Sequence, residues 1–213
     1  MSKNVSIGVS GFLEKLNEYT YDRDNNVYFF RGHSDKSYKL IPNIYRENII
    51  KHEHILFKEL LLRCPQDFEY CKTTFELLVK MQHYSLPTRL LDITINPLVA
   101  LYFACQSKPK DDGEIIIFEI PKSDIKYYDS DAVSILSNLS RVDSNFCLQT
   151  DLDKEVLPSC DEYDEMIRKF NSSYQLKKLT YEIQSEKPHF VPRMDPEVLS
   201  KVLCVKRLCC TKI

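Results

Sequence analysis

Only four glycines occur in the 213 residues: Gly8, Gly11, Gly32 and Gly113. Glycine lets a main chain turn tightly around a phosphate group, so its scarcity excludes whole architectures. Neither a GxGxxG turn nor a GxxxxGK[ST] loop can be assembled from these positions. Any nucleotide held by this chain must sit in a site made without a glycine-rich phosphate loop.

The remaining composition narrows the class. Hydrophobic residues make up 43% and charged residues 28%, which suits a globular protein with one sizeable core or two small ones. The formal net charge of −2 supplies no global positive field for nucleic acid, although net charge leaves a local basic groove open. The N-terminal MSKNVSIGVSGFLEKLNEY has no apolar core of a secretory signal, and no apolar run approaches the roughly 20 residues that span a bilayer. The eight cysteines are scattered, without a CxxC or zinc-finger spacing. We expect a reduced, cytoplasmic protein with buried thiols, no metal and no membrane segment.

Periodicity predicts an α+β chain, with helices packed on a small, mostly antiparallel sheet. Phe12, Leu13, Leu16 and Tyr19 recur at helical spacing behind Ser10. VYFF (27–30) is a strand. Ile49 to Arg63 forms one helix. Pro65 starts the next, whose face is Phe68, Cys71, Phe75, Leu78, Val79 and Gln82. Asn96-Pro97 is a cap followed by proline at the first helical position. The helix behind it, LVALYFACQ, is apolar almost all round and should be buried. EIIIFEI is a second strand, and Ser130 caps DAVSILSNL. Residues 141–160 are expected as a surface loop and 161–185 as helix. Asp195-Pro196 repeats the cap signal and VLCV (202–205) is a last strand.

Two stretches concentrate candidate chemistry. In Phe30-Arg31-Gly32-His33 an arginine ends an apolar strand, where rigid backbone aims its donors. A guanidinium so placed either meets a phosphate or carboxylate, or closes the strand end as a salt bridge. Gly32 lets the chain turn or lets a ligand approach the backbone. The run QHYSLPTRLLDITINPLVALYFA (82–104) packs Gln82, His83, Thr88, Arg89, Asp92, Thr94 and Asn96 among leucines and isoleucines. Polar residues this dense must satisfy one another or face a pocket. Asp92 and Thr94 share one face of an extended segment, able to hydrogen-bond a ribose or to orient Arg31. The plainer alternative is a capped loop ahead of a helix, which suits Asn96. His33 and His83 each lie beside a motif. Glu114 and Glu119 are read as structural charges on a strand's outer face.

FFRG followed by LPTRLLDxTxNPxxALYFA resembles the FRG-domain family. DAVSILSNLS, EIQSEKPHF and DPEVLSKVLCVK are also similar to it, so the likeness runs from about residue 10 to about residue 206. It implies a single FRG-like domain over 1–206. Residues 207–213 form an atypical tail where the family continues into further strands. The motif order is similar to that of ADP-ribosyltransferases of the Arg/Ser-Thr-Ser/Glu type, which bind NAD without a glycine-rich loop. That resemblance implies an ADP-ribosyltransferase-like core with helical insertions and NAD as substrate. The acceptor would be a macromolecule, protein or nucleic acid, as for a bacterial toxin or phage-defence effector. Arg31 then maps as the NAD anchor with Gly32 and His33 beside it. Gln82, Thr88, Arg89, Asp92 and Thr94 join the binding set, and His83, Asp92 and Thr94 are the catalytic candidates, with no glutamate assigned. A non-catalytic nucleotide-binding or protein-interaction module is the alternative, and a nucleic-acid surface stacking on Tyr and Phe ranks last.

Overall fold

A strand with the sequence NVYFFRGH carries aromatic side chains on both faces, and at least one face must find cover. In the computed structural model, which describes residues 8–143, 146 and 160–194, the elements run in the following order. Helix α1 (Gly8–Tyr19) leads to strand β1 (Asn26–His33), a 3-10 segment (Asn43–His52), α2 (Glu53–Arg63), α3 (Pro65–Phe68) and α4 (Thr74–His83). Then come α5 (Pro97–Cys105), strand β2 (Glu114–Pro121), α6 (Asp131–Asn138), α7 (Cys160–Asn171) and α8 (Tyr174–Glu186). The protein is α+β. No described helix is long and apolar enough to cross a membrane. The expected strand at 202–206, the Asp195-Pro196 cap and most of the 141–160 loop lie outside the described residues.

The described residues divide into two compact units. Residues 8–40 and 92–125 form the first, and Ile41–Leu91 with 126–143, 146 and 160–194 form the second. In the first unit β1 and β2 pair antiparallel, with Asn26 opposite Pro121 and His33 opposite Glu114. One further bridge joins Phe30 to Thr94, through Phe30 N to Thr94 O at 2.7 Å and Thr94 N to Phe30 O at 2.9 Å. Tyr28 and Phe30 bury on one face with Leu16 of α1 and Ala100 of α5, flanked by Phe12, Ile115 and Ile117. Gly32 lies on that same face by the period of two. A Cβ built there would stand 1.9 Å from the Ala100 carbonyl oxygen and 2.7 Å from the Ala104 nitrogen. One at Gly113 would meet the Ala104 carbonyl at 2.7 Å. Helix α5 therefore lies main chain against main chain on the sheet, and Gly32 serves that approach rather than a turn.

Asn96 caps α5 as expected, its Oδ1 accepting from Leu98 N at 3.0 Å. The expected burial of this helix does not hold. Ala100 is 1% exposed, whereas Tyr102 is 61% and Phe103 52% exposed, and Leu98 and Val99 are exposed too. Among the described residues, two strands and a bridge present enough surface for one stripe of α5, not for its circumference.

In the second unit two apolar clusters form. Phe57, Phe68, Leu78 and Met81 make one; Ile135, Leu139, Val142, Leu176, Leu179, Ile183, Phe190 and Met194 make the other. The helix expected to run on from Pro65 is broken in two. Thr73 sets up a capping box, accepting from Glu76 N at 3.2 Å while Glu76 accepts from Thr73 N at 3.3 Å, and α4 starts afresh. Of the helix expected from Ile49, residues 49–52 are the end of the 3-10 segment and the α-helix starts at Glu53, while Glu47 and Asn48 just ahead of Ile49 take positive φ (54° and 60°) and stop it extending back. The 161–185 helix is likewise two, with Ser173 capping α8 by accepting from Leu176 N at 3.4 Å.

A buried polar knot ties α4, α6 and α8. The Glu186 carboxylate accepts from Thr74 N at 2.6 Å, Thr74 Oγ1 at 2.5 Å and Asn138 Nδ2 at 2.8 Å. It thereby meets the positive end of α4. Thr74 and Asn138 are fully buried, so each lost bond would leave a polar group without water.

Two substitutions measure these contacts. Gly32→Ala should destabilise by about 3 kcal/mol or more, because the clash is with helix backbone that cannot rotate away. Asn138→Ala should cost about 2–3 kcal/mol by removing the amide donor to Glu186 Oε1 and leaving a gap at a fully buried position. Urea unfolding followed by circular dichroism checks both.

Candidate functional site

The period of two sends Arg31 and His33 to the face of β1 opposite Gly32, where they meet. Arg31 Nε donates to His33 Nε2 at 3.2 Å, and Arg31 Nη1 donates to the Asp92 main-chain carbonyl at 2.5 Å. An arginine Nε always carries its hydrogen, so His33 Nε2 accepts. The proton then sits on Nδ1, which donates to Glu114 Oε1 at 3.1 Å. His33 is buried, and Glu114 is its cross-strand partner in the sheet register. A continuous chain results: Glu114 orients His33, His33 holds Arg31, and Arg31 grips the main chain at Asp92. With two of its nitrogens fixed, the guanidinium plane has a set direction.

The Asp92–Thr94 segment is placed by the same contacts. Thr94 bridges to Phe30, and its hydroxyl accepts from Asn96 N at 3.1 Å, leading into the α5 cap. Asp92 itself is exposed. Arg31, Gly32, His33, Asp92 and Thr94 thus gather in the first unit around one strand. Phe30, Arg31 and Gly32 carry three separate duties: core and bridge, aimed cation, and seat for α5.

Beyond His33 the chain is pinned by ion pairs. Lys108 Nζ donates to Asp35 Oδ2 at 2.6 Å and lies 4.7 Å from the Tyr38 ring centre. Ser37 N donates to Asp35 Oδ1 at 2.8 Å. The Lys108 ammonium, with the Ser37 donors behind it, holds the Asp35 carboxyl well below the usual range. Asp35 in turn pushes Lys108 up to about 12.

Gln82, His83, Thr88 and Arg89 belong to the second unit. Thr88 is buried, donating to Gln82 Oε1 at 3.3 Å and accepting from Leu90 N at 3.3 Å, while its carbonyl accepts from Ile44 N at 3.3 Å. Arg89 makes a two-point pair with Glu53, Nε to Oε1 at 2.8 Å and Nη2 to Oε2. Both side chains are at most 10% exposed. Burial raises the Tyr45 hydroxyl beside this pair. His83 closes α4 and is exposed.

Two partners escaped the sequence reading. Glu53, which answers Arg89, belongs to no motif that sequence singles out. Glu114 was assigned to a strand's outer face, although the FRGH and EIII strands needed only their register to pair it with His33.

Residues 26–113 match the family model of the FRG domain. The chain carries an FRG domain. No curated protein and no solved structure matches the chain. The FRG match begins at the first residue of β1 and ends at Gly113, so it takes in the Phe30–Thr94 bridge, the aimed Arg31 and all of α5.

The Asp35–Lys108 pair closing the FRG motif's loop gives a pH prediction. A depressed carboxyl contributes stability above its unfolded value of about 3.9, and that contribution goes as pH falls through the lower folded value. The raised lysine contributes below about 10.4, and its part goes as pH rises through the folded value. Asp35 should therefore keep its ionised carboxyl carbon shift by NMR at about pH 3.5, where an ordinary aspartate is mostly protonated. Lys108→Met should move Asp35 part of the way back toward the ordinary range, because the Ser37 donors remain.

Proposed function

We propose that this FRG domain binds NAD and transfers ADP-ribose to a macromolecular acceptor. One observation carries the reading: an arginine on a strand, oriented at Nε by His33 and at Nη1 by the Asp92 carbonyl, beside an exposed carboxylate. Diphosphate recognition rewards an arginine whose plane is set in advance, since little side-chain freedom remains to be lost on binding. Arg31 would meet the diphosphate. Asp92 would stand near the ribose, where a carboxylate stabilises the positive charge that develops as the C1′–N bond breaks. Nicotinamide departs with that bonding pair, and the acceptor's nucleophile then closes on C1′, losing its proton. The glycine scarcity agrees with a dinucleotide site that lacks a phosphate loop.

A second reading, a protein-interaction module without chemistry, draws on the exposed Leu98, Val99, Tyr102 and Phe103 of α5. Titration with NAD followed by nicotinamide release and label transfer separates the two.

Arg31→Ala should weaken NAD binding by about 2 kcal/mol or more, on top of a stability loss of about 1–3 kcal/mol from removing the donors to His33 Nε2 and the Asp92 carbonyl, and should leave the apolar core on the other face of β1 folded. Asp92→Asn should preserve binding and remove transfer. Absence of any NAD binding by the wild-type protein would overturn the proposal, and binding without turnover would leave a nucleotide-binding module.

A further inference from the structure

The open edge of β1 holds a feature that the Arg31 chemistry does not use. Phe30 spends its N–H and C=O on Thr94, on the side away from β2. Alternation along the strand sends the N–H and C=O of Tyr28 to that same side. The companion segment cannot follow them, because Asn96-Pro97 turns the chain into α5 immediately beyond Ile95. Neither Tyr28 main-chain group finds a protein partner among the described residues. At the next position outward, Asn26 N is closed by the Asp22 carbonyl at 3.2 Å. One donor–acceptor pair of a strand edge is thus open among the described residues.

It opens into a cleft of about 570 Å³ within the first unit. Leu13 and Leu16 of α1 form one wall, and Ile95 and Pro97 form another. Arg23 also lines it. Its guanidinium is steadied by Thr20, Nε donating to the Thr20 carbonyl at 3.2 Å and Nη2 to the Thr20 hydroxyl at 3.1 Å. Thr20 is buried and is itself held by donating to the Leu16 carbonyl at 3.0 Å. No carboxylate forms an ion pair with Arg23 among the described residues, and the Asp22 carboxylate beside it accepts from Asn25 and Asn26.

We propose that this cleft receives an extended, acidic peptide segment of a partner protein, added as a short strand to β1 at Tyr28. The N–H and C=O of a single residue match the spacing of a strand's own peptide groups, which a compact small molecule does not reproduce. The apolar walls take a side chain of that strand. Arg23, oriented and without an acid of its own, takes a carboxylate. The site shares no side chain with the Arg31 arrangement and stands independently of the NAD proposal.

The test uses the whole chain as bait for a phage-displayed random heptapeptide library, with the enriched peptide then measured by fluorescence anisotropy. Enriched peptides should share an acidic position, and Arg23→Gln should weaken binding by about ten-fold while melting like the wild type. N-methylation of one peptide amide should abolish binding, and methylation of its immediate neighbour should not, as strand pairing requires. Arg31→Ala should bind the peptide unchanged. The proposal is overturned by a failure to enrich acidic sequences, by equal binding to Arg23→Gln, or by insensitivity to N-methylation. Displacement of the peptide by free glutarate at comparable concentration would also overturn it, by showing a small-carboxylate site instead.

Discussion

The first unit depends on the approach of α5 to β1 at Gly32. Main chain lies against main chain there, and nothing larger than hydrogen fits. From that contact the rest follows by the alternation of a strand. Phe30 and Tyr28 must share the buried face with Ala100, and Arg31 and His33 must take the other. Gly113 repeats the device at the end of α5, so two of the four glycines serve to seat one helix. A chain this poor in glycine places it where backbones touch.

The polar density of residues 82–96 has a second physical cause. Thr88 bonds Gln82 and the main chain, Arg89 pairs with Glu53, Thr94 and Asn96 build the start of α5, and the Asp92 carbonyl takes Arg31. Buried or half-buried polar groups demand partners, and a segment without regular hydrogen bonding must supply them from side chains. Such a stretch resembles a ligand site in sequence because both solve the same problem, the satisfaction of convergent donors and acceptors. Arg89 and Arg31 illustrate the difference. Arg89 is sealed against an acid, whereas Arg31 donates to the His33 ring and the Asp92 main-chain carbonyl, and Asp92 itself is exposed.

Much of the framework was legible in advance. Both described strands fell where β-branched and aromatic runs placed them, and Asn96-Pro97 and Ser130 start helices. Helix continuity was less legible. The stretch from Pro65 has a helical period, yet Thr73 and Glu76 form a capping box that periodicity alone overlooks. The exposure of α5 was illegible for another reason, since hydrophobicity says what a helix would bury and not how much sheet is there to cover it.

Local chemistry in the sequence determined the α+β class, the helix starts, the arginine at a strand end and the absence of a phosphate loop. Each is set by neighbours within a few residues, through φ restriction, capping and side-chain period. Tertiary structure alone decided which acids answer which cations, that Glu114 reaches Arg31 through His33, and that the β1 edge has no main-chain partner at Tyr28 among the described residues. Those outcomes rest on strand register and on where the chain leaves the sheet, which join residues some 60 to 80 positions apart.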